Sequence, residues 1–269
     1  MGVVGRLKQG DLVLTGEVDE RLPAVTNGLV AHFPFDDTEV GKSYRNLVET
    51  SQWKVGTSGS QSGFSQNGDG NSIIMKENPW GVLEPTWAMT NNDATSDADG
   101  GWAAYSRPID STKKYRLTIW IRREAWGTGT TYFGCQASTV HNLSNSLVNT
   151  NPYFTSGKFT ETYDNWALFV AYIHPSSYAL TTSDPTNGSY SLDGTRIRGI
   201  TDFKWAPDAT YGGHRAYLYY STTTTERQYF ARPRFEICDG NEATIPELLK
   251  GWDDFLHPAI IANTSISSR

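Results

Sequence analysis

The feature that most constrains this chain is strict alternation in residues 114–123, where Tyr115, Leu117, Ile119 and Ile121 point one way and Arg116, Thr118, Trp120 and Arg122 the other. A period of two is the geometry of a pleated strand, and the pattern predicts one core face and one wetter face. Residues 228–237 repeat it, with Tyr229, Ala231, Phe235 and Ile237 set against Phe230, Arg232, Arg234 and Glu236. Pro233 lies inside that run, and because proline cannot donate to a sheet ladder it predicts an edge position or a bulge. Residues 166–173 are almost continuously apolar, as in a strand buried on both faces or lying under a loop. Residues 215–221 form a further strand rich in tyrosine. Nine Trp, 14 Tyr and 25 Gly favour strands joined by turns. The predicted fold class is all-β.

Residues 56–70, 91–101 and 181–194, dense in Ser, Thr, Asn, Asp and Gly, read as long surface loops, the places where β domains tend to carry function. Residues 4–18 read as a small N-terminal β-hairpin, with Arg6-Leu7-Lys8 and Leu12-Val13-Leu14 on either side of the turn. At the other end Thr244-Ile245-Pro246-Glu247 matches a capping box, and Ile245, Leu248, Leu249, Trp252 and Leu256 follow at helical spacing until His257-Pro258. This short C-terminal helix suits docking on its own sandwich or on another subunit. The expected organisation is an attachment segment over 1–26, a β-sandwich over 27–243, and a helix with its tail over 244–269.

Composition excludes several function classes. A length of 269 residues with 38% hydrophobic side chains is enough for one full core. A net charge of −6 removes the basic footprint of nucleic-acid binding, so no nucleic-acid partner is expected. No run approaches the roughly 18–20 apolar residues of a membrane helix, and residues 1–6 lack a signal-peptide layout, so neither membrane insertion nor secretion is expected. The glycosylation sequons at Asn142, Asn187 and Asn263 therefore carry no weight. Cys135 and Cys238, far apart and outside any CxxC pattern, read as small buried hydrophobes.

No phosphate loop, GxGxxG, HExxH or GxSxG motif is present, and the five histidines lack metal-binding spacing. The expectation is a non-enzyme with no cofactor. A polysaccharide depolymerase stays open as an alternative, because two carboxylates can converge in space without a sequence signature; Asp97, Asp99 and Asp208 are its candidates. Asn67-Gly68-Asp69-Gly70-Asn71 and residues 93–99 place oxygen donors at alternating positions around glycines, which leaves a structural calcium ion open as well.

The aromatic surplus is more telling. Sugars present flat C–H faces that pack on Trp and Tyr rings, while their hydroxyls pair with polar neighbours. Trp80, Trp87, Trp102, Trp126, Trp205 and Tyr211 lie in or beside loops of that character. Face alternation singles out Trp120, Arg122, Arg232, Arg234, Tyr219 and Trp102 as ligand-binding candidates. The competing use of each ring is to cap the core.

Two segments carry a family likeness. Residues 5–14 (GRLKQGDLVL) through Glu17-Val18-Asp19-Glu20, with residues 27–36 (NGLVAHFPFD), are similar to the way bacteriophage tail-fibre and minor tail chains begin a lectin-like domain. Residues 229–236 (YFARPRFE), followed by Gly240 and Ala243-Thr244, resemble the closing strand of carbohydrate-binding jelly rolls in phage tails. Asn46-Leu47-Val48 with Trp53, and residues 115–120 after Gly100-Gly101-Trp102, resemble its opening and next core strands. The resemblance implies a jelly-roll β-sandwich, homotrimeric assembly with other virion proteins, localisation to the virion after assembly in the host cytoplasm, and recognition of a host-surface glycan. Its architectural variant is a baseplate, collar or head-decorating part without a ligand. The metal position of related binding modules has no unambiguous match here.

Overall fold

The structure is a computed structural model that describes residues 5–8, 11–14, 46–137, 140–148 and 152–251. The chain divides into two compact units, Met1–Ser43 and Tyr44–Arg269. The first contains an antiparallel hairpin of β1 (Gly5–Lys8) and β2 (Asp11–Leu14), with Lys8 opposite Asp11, as the sequence predicts. The residues 27–36 that carry part of the family likeness lie outside the described residues.

In the second unit the strands are β3 (Phe64–Gln66), β4 (Asn71–Glu77), β5 (Leu83–Thr90), β6 (Ala98–Ala104), β7 (Arg107–Pro108), β8 (Tyr115–Glu124), β9 (Thr130–Ala137), β10 (Val140–Asn142), β11 (Leu147–Val148) and β12 (Tyr153–Gly157). After a 3-10 turn at Thr160–Thr162 follow β13 (Ala167–His174), β14 (Gly188–Tyr190), β15 (Arg196–Arg198), β16 (Phe203–Trp205), β17 (Tyr211–Tyr219), β18 (Arg227–Ile237) and the helix α1 (Ile245–Lys250). The stretches expected to be loops therefore contain β3, the start of β6, and β14. Gly100 and Gly101 lie in β6, where their lack of a side chain admits close neighbours: a Cβ on Gly101 would lie 2.1 Å from the Ala216 carbonyl oxygen.

The ten-stranded sheet runs β11-β10-β16-β13-β8-β18-β5-β4, with β14 on β13 and β15 on β14. The six-stranded sheet runs β12-β9-β17-β6-β3, with β7 beside β17. Without the short additions, β5-β18-β8-β13 faces β6-β17-β9-β12. Along the chain every step between these strands crosses from one sheet to the other except β9 to β12. That order is the double Greek key of a jelly roll.

Between the sheets lies an aromatic core. Trp87, Trp102 and Trp205 are fully buried, and Trp53, Phe64, Trp87 and Trp102 meet in edge-to-face and tilted pairs at 5.1–6.1 Å. Each such ring removes enough apolar surface to contribute about 4–6 kcal/mol of transfer free energy before entropy is counted. Cys135 is buried in this core, Cys238 is half-buried, and both thiols are free.

A second apolar layer covers the outer face of the ten-stranded sheet. Trp120, Leu168, Val170, Tyr172, Tyr229 and Ala231 pack there beneath Leu248 and Leu249 of α1. The face of β8 expected to be wetter is thus mostly buried, and β13 is buried along its whole length. The Thr244–Glu247 capping box forms as expected. Gly251, in the left-handed conformation at φ 71°, ends α1 at Lys250, short of the sequence expectation; residues 252–258 lie outside the described residues.

Pro233 is accommodated by a bulge rather than by an edge. β18 lies between β8 and β5, and its register slips between Ala231 and Arg234, with Arg232 at φ 46°. The Asn46 side chain replaces the missing ladder bonds, donating to the Pro233 carbonyl and accepting from the Phe235 N–H, each at 3.0 Å. One extra residue reverses strand parity. Phe230 and Phe235 consequently both face the core between the sheets, and Tyr229 and Ala231 face the α1 layer, which corrects the grouping read from simple alternation.

Candidate functional site

Strand parity scatters the six residues chosen from the sequence. Trp102 points inward, with an exposure of 0%, and its ring is enclosed by Trp53, Phe64, Trp87 and Phe230. Trp120 points outward on the ten-stranded sheet but is sealed at 2% exposure, with Trp80 edge-on at 5.4 Å. Arg122, Arg232 and Arg234 share that outer face and pair with Glu124, Glu84 and Glu236 at 2.8–2.9 Å. The expected single face does not form: Tyr219 belongs to the six-stranded sheet and Trp102 to the core.

The loop aromatics divide similarly. Trp87 and Trp205 are core residues. Trp80 is half-buried, and its Nε1–H donates to the Leu249 carbonyl at 2.8 Å. Trp126 stands partly exposed against Tyr163, with the Arg123 guanidinium 4.7 Å from its centroid. Tyr211 is exposed.

Of the six, Tyr219 marks an aromatic surface on the outer face of the six-stranded sheet. On β17, His214, Ala216 and Leu218 turn inward, which turns Arg215, Tyr217 and Tyr219 outward. On β9, Phe133 and Cys135 turn inward and Tyr132, Gly134 and Gln136 outward, with Tyr132 opposite Tyr217 and Gly134 opposite Arg215. β12 adds Tyr153 opposite Gly134. Glycine is required there, because a Cβ would lie 2.8 Å from the Tyr153 ring.

The rings form one connected surface. Tyr217 and Tyr219 stack at 5.0 Å, Tyr132 lies 5.3 Å from Tyr219 and 4.7 Å from Tyr153, and Tyr220 lies 5.5 Å from Tyr219. Tyr220 is 49% exposed at φ 65°, a left-handed conformation that costs a bulky residue energy and tends to be retained at functional positions. Its N–H donates to the Asp97 carbonyl at 2.7 Å. The next residue, Ser221, donates its N–H to Asp99 at 2.9 Å and its hydroxyl to Glu226, itself paired with Arg123 inside the fold.

Polar groups accompany the rings. Asn67 Nδ2 donates to the Tyr219 hydroxyl. Arg215 lies 5.8 Å from the Tyr217 centroid and 5.9 Å from that of Tyr153, and its Nη2 donates to Gln136 Oε1 at 2.8 Å. Burial raises the pKa values of Tyr132, Tyr153 and Tyr219 and pushes Tyr217 up to about 12, so all four are neutral phenols at physiological pH. Such a surface can stack on flat C–H faces and exchange hydrogen bonds at its margins. The outward positions of β9, β12 and β17 named here include no carboxylate.

Side chains of the oxygen-rich stretches make hydrogen bonds within the fold. Asn71 Oδ1 accepts from Trp87 Nε1 and from the Gly101 N–H, and its Nδ2 donates to the Asn67 and Gly68 carbonyls. Among the described residues no group of three or more His, Cys, Asp or Glu is placed to hold a metal ion. Asp97 and Asp208 are exposed, whereas Asp99 is buried, and burial together with Asp97 and Asp93 raises its pKa to about 6 against the opposing Ser221 bond. Among the described residues no helix is long and apolar enough to cross a membrane.

Strand order and layering define the class as a jelly-roll β-sandwich, with one outer sheet face sealed by α1 and the other lined with tyrosine. No family model matches the chain, and no curated protein matches it by sequence. Solved structures similar in fold include an arabinose-bound α-L-arabinofuranosidase, at 12% identity and TM-score 0.41 over 72% of this chain and 26% of that one. An exo-β-agarase matches at 12% identity and TM-score 0.39, over 73% and 25%. A xylan-binding domain from Paenibacillus barcinonensis matches at 12% identity and TM-score 0.30, over 69% and 90%. The chain thus spans about a quarter of the length of the first two.

Proposed function

We propose that the protein binds a glycan non-covalently on the tyrosine face of the six-stranded sheet, as a host-recognition component of a bacteriophage virion. The observation that carries the binding reading is the asymmetry of the sandwich. The outer face of the ten-stranded sheet is sealed beneath α1, whereas Tyr132, Tyr153, Tyr219 and Tyr220 keep exposed surface on the other side, with no described helix or strand of this unit laid over them. Leaving aromatic surface in water costs free energy, and contiguous surface of this kind marks a binding site. The virion setting, the homotrimer and the other virion proteins as partners rest on the resemblance of residues 5–14 and 229–236 to phage tail chains. Display in many copies would convert weak single-site stacking into firm attachment.

Tyr132→Ala and Tyr219→Ala, each checked for an unchanged fold, are expected to weaken binding to host cells or their surface glycans by about 2- to 12-fold each, from the about 0.5–1.5 kcal/mol of one stacked ring. Trp126→Ala, outside this face, leaves binding unchanged. Unchanged binding in both tyrosine variants refutes the placement. Loss of particle assembly in these variants, with no glycan or host-cell binding by the parent chain, supports the architectural reading instead, and release of reducing ends supports a depolymerase.

A further inference from the structure

On the reading of the tyrosine face as a glycan site, we propose that Arg215 makes that site selective for acidic glycans, so that the ligand carries a sugar carboxylate that meets the Arg215 guanidinium beside Tyr153. Four arginines of the ten-stranded sheet lie against carboxylates: Arg116 and Arg234 share Glu236, Arg122 meets Glu124, and Arg232 meets Glu84. Arg215 has no carboxylate partner among the described residues; its guanidinium bonds to neutral groups, the Gln136 amide oxygen and the Tyr153 hydroxyl. Its Nε is shielded from solvent and bonds to nothing, which leaves the Nη edge as the donor edge for an incoming group.

A guanidinium that lies near two rings and is held by neutral hydrogen-bond partners is preorganised, and its fork matches a carboxylate. The other outward residues of this face are neutral Tyr, Gln and Gly, so Arg215 forms a local positive spot on a chain of net charge −6. A ligand bearing only hydroxyls would be served by Gln136 and Asn67 and would leave the cation unused. The rest of the chain repels polyanions at long range, so the selectivity is short-range and depends on this one guanidinium.

The test uses the full chain and measures affinity, by calorimetry or affinity electrophoresis, for polygalacturonate, alginate and hyaluronate, for their carboxyl-reduced forms, and for neutral glucans and galactans. The expected result is at least about tenfold tighter binding of a carboxylated polymer than of its reduced form, a gap that narrows as salt rises. Arg215→Gln removes that gap, read as the ratio of carboxylated to reduced affinity within the same variant; Arg215→Lys, which keeps charge but loses the fork, restores part of it. Tyr219→Ala weakens both polymers alike. Equal binding of carboxylated and reduced polymers, with Tyr219→Ala still weakening both, overturns the acidic-glycan inference and leaves the glycan site standing. No binding to any acidic or neutral polymer, with host-cell binding unaffected by Tyr219→Ala, overturns both.

Discussion

Glu236→Gln should be a strongly destabilising conservative change. Glu236, at 1% exposure, lies between two guanidiniums at 3–4% side-chain exposure: Arg116 meets its Oε1 at 2.6 and 3.0 Å, and Arg234 meets its Oε2 at 2.9 Å. Arg116 also donates to the Ala243 carbonyl, just ahead of α1, so the same charges steady the segment that leads into the helix. The glutamine keeps the shape but leaves two buried cations without their anion. Breaking a buried pair in this way costs about 3–5 kcal/mol, which for a domain of this size lowers Tm by about 6–20 °C. Replacing the whole group with Arg116→Met, Arg234→Leu and Glu236→Met removes every buried charge together and should remain within about 2 kcal/mol of the parent. Urea unfolding followed by tryptophan fluorescence and far-ultraviolet circular dichroism gives both values. If the single variant lies within 1 kcal/mol of the parent, or the triple variant is the less stable of the two, the electrostatic account of this cluster is wrong.

Two titrations oppose each other. His214, enclosed between Trp102 and Phe133 with Nε2 against the Thr118 carbonyl at 3.1 Å, has its pKa driven down to about 3 by burial, against a modest rise from that bond. The unfolded chain, with an imidazole pKa near ~6.5, binds this proton first. Stability from His214 is therefore present above that value and lost as pH falls toward 3, and the ring should stay neutral at pH 5 by NMR; a midpoint near 6.5 would falsify the assignment. Asp99, raised from 3.8 to about 6 chiefly by burial, has the opposite sign: its contribution is fully present below 3.8 and lost as pH rises through about 6. Asp99→Asn should therefore raise Tm at pH 7.5 more than at pH 4.5, and an equal effect at both would show that the carboxylate is not buried in its charged form.

Much of the fold was legible because local chemistry and tertiary role agree. The β8 alternation, the apolar β13, the hairpin turn and the Thr244 capping box each state their conformation within a few residues. The site was less legible. The signal for Tyr132, Arg215 and Tyr217 was present, since each alternates with a core residue of its own strand, but sidedness alone does not separate an uncovered face from one that α1 will seal. Trp120 and Tyr219 are equivalent on that criterion, and the packing of Trp80, Leu248 and Leu249 over one sheet face distinguishes them.

The sequence by itself determined that the chain forms strands, where its helix begins, and which residues alternate, because these depend on backbone geometry and neighbours a few positions apart. Tertiary structure decided which aromatics became core, that the bulge at Pro233 reversed the parity of β18, and that Arg116 pairs with Glu236 while Arg215 keeps no carboxylate partner among the described residues. Those outcomes depend on which strands become neighbours and on what covers each sheet face, and both are set by contacts between residues from tens to more than a hundred positions apart.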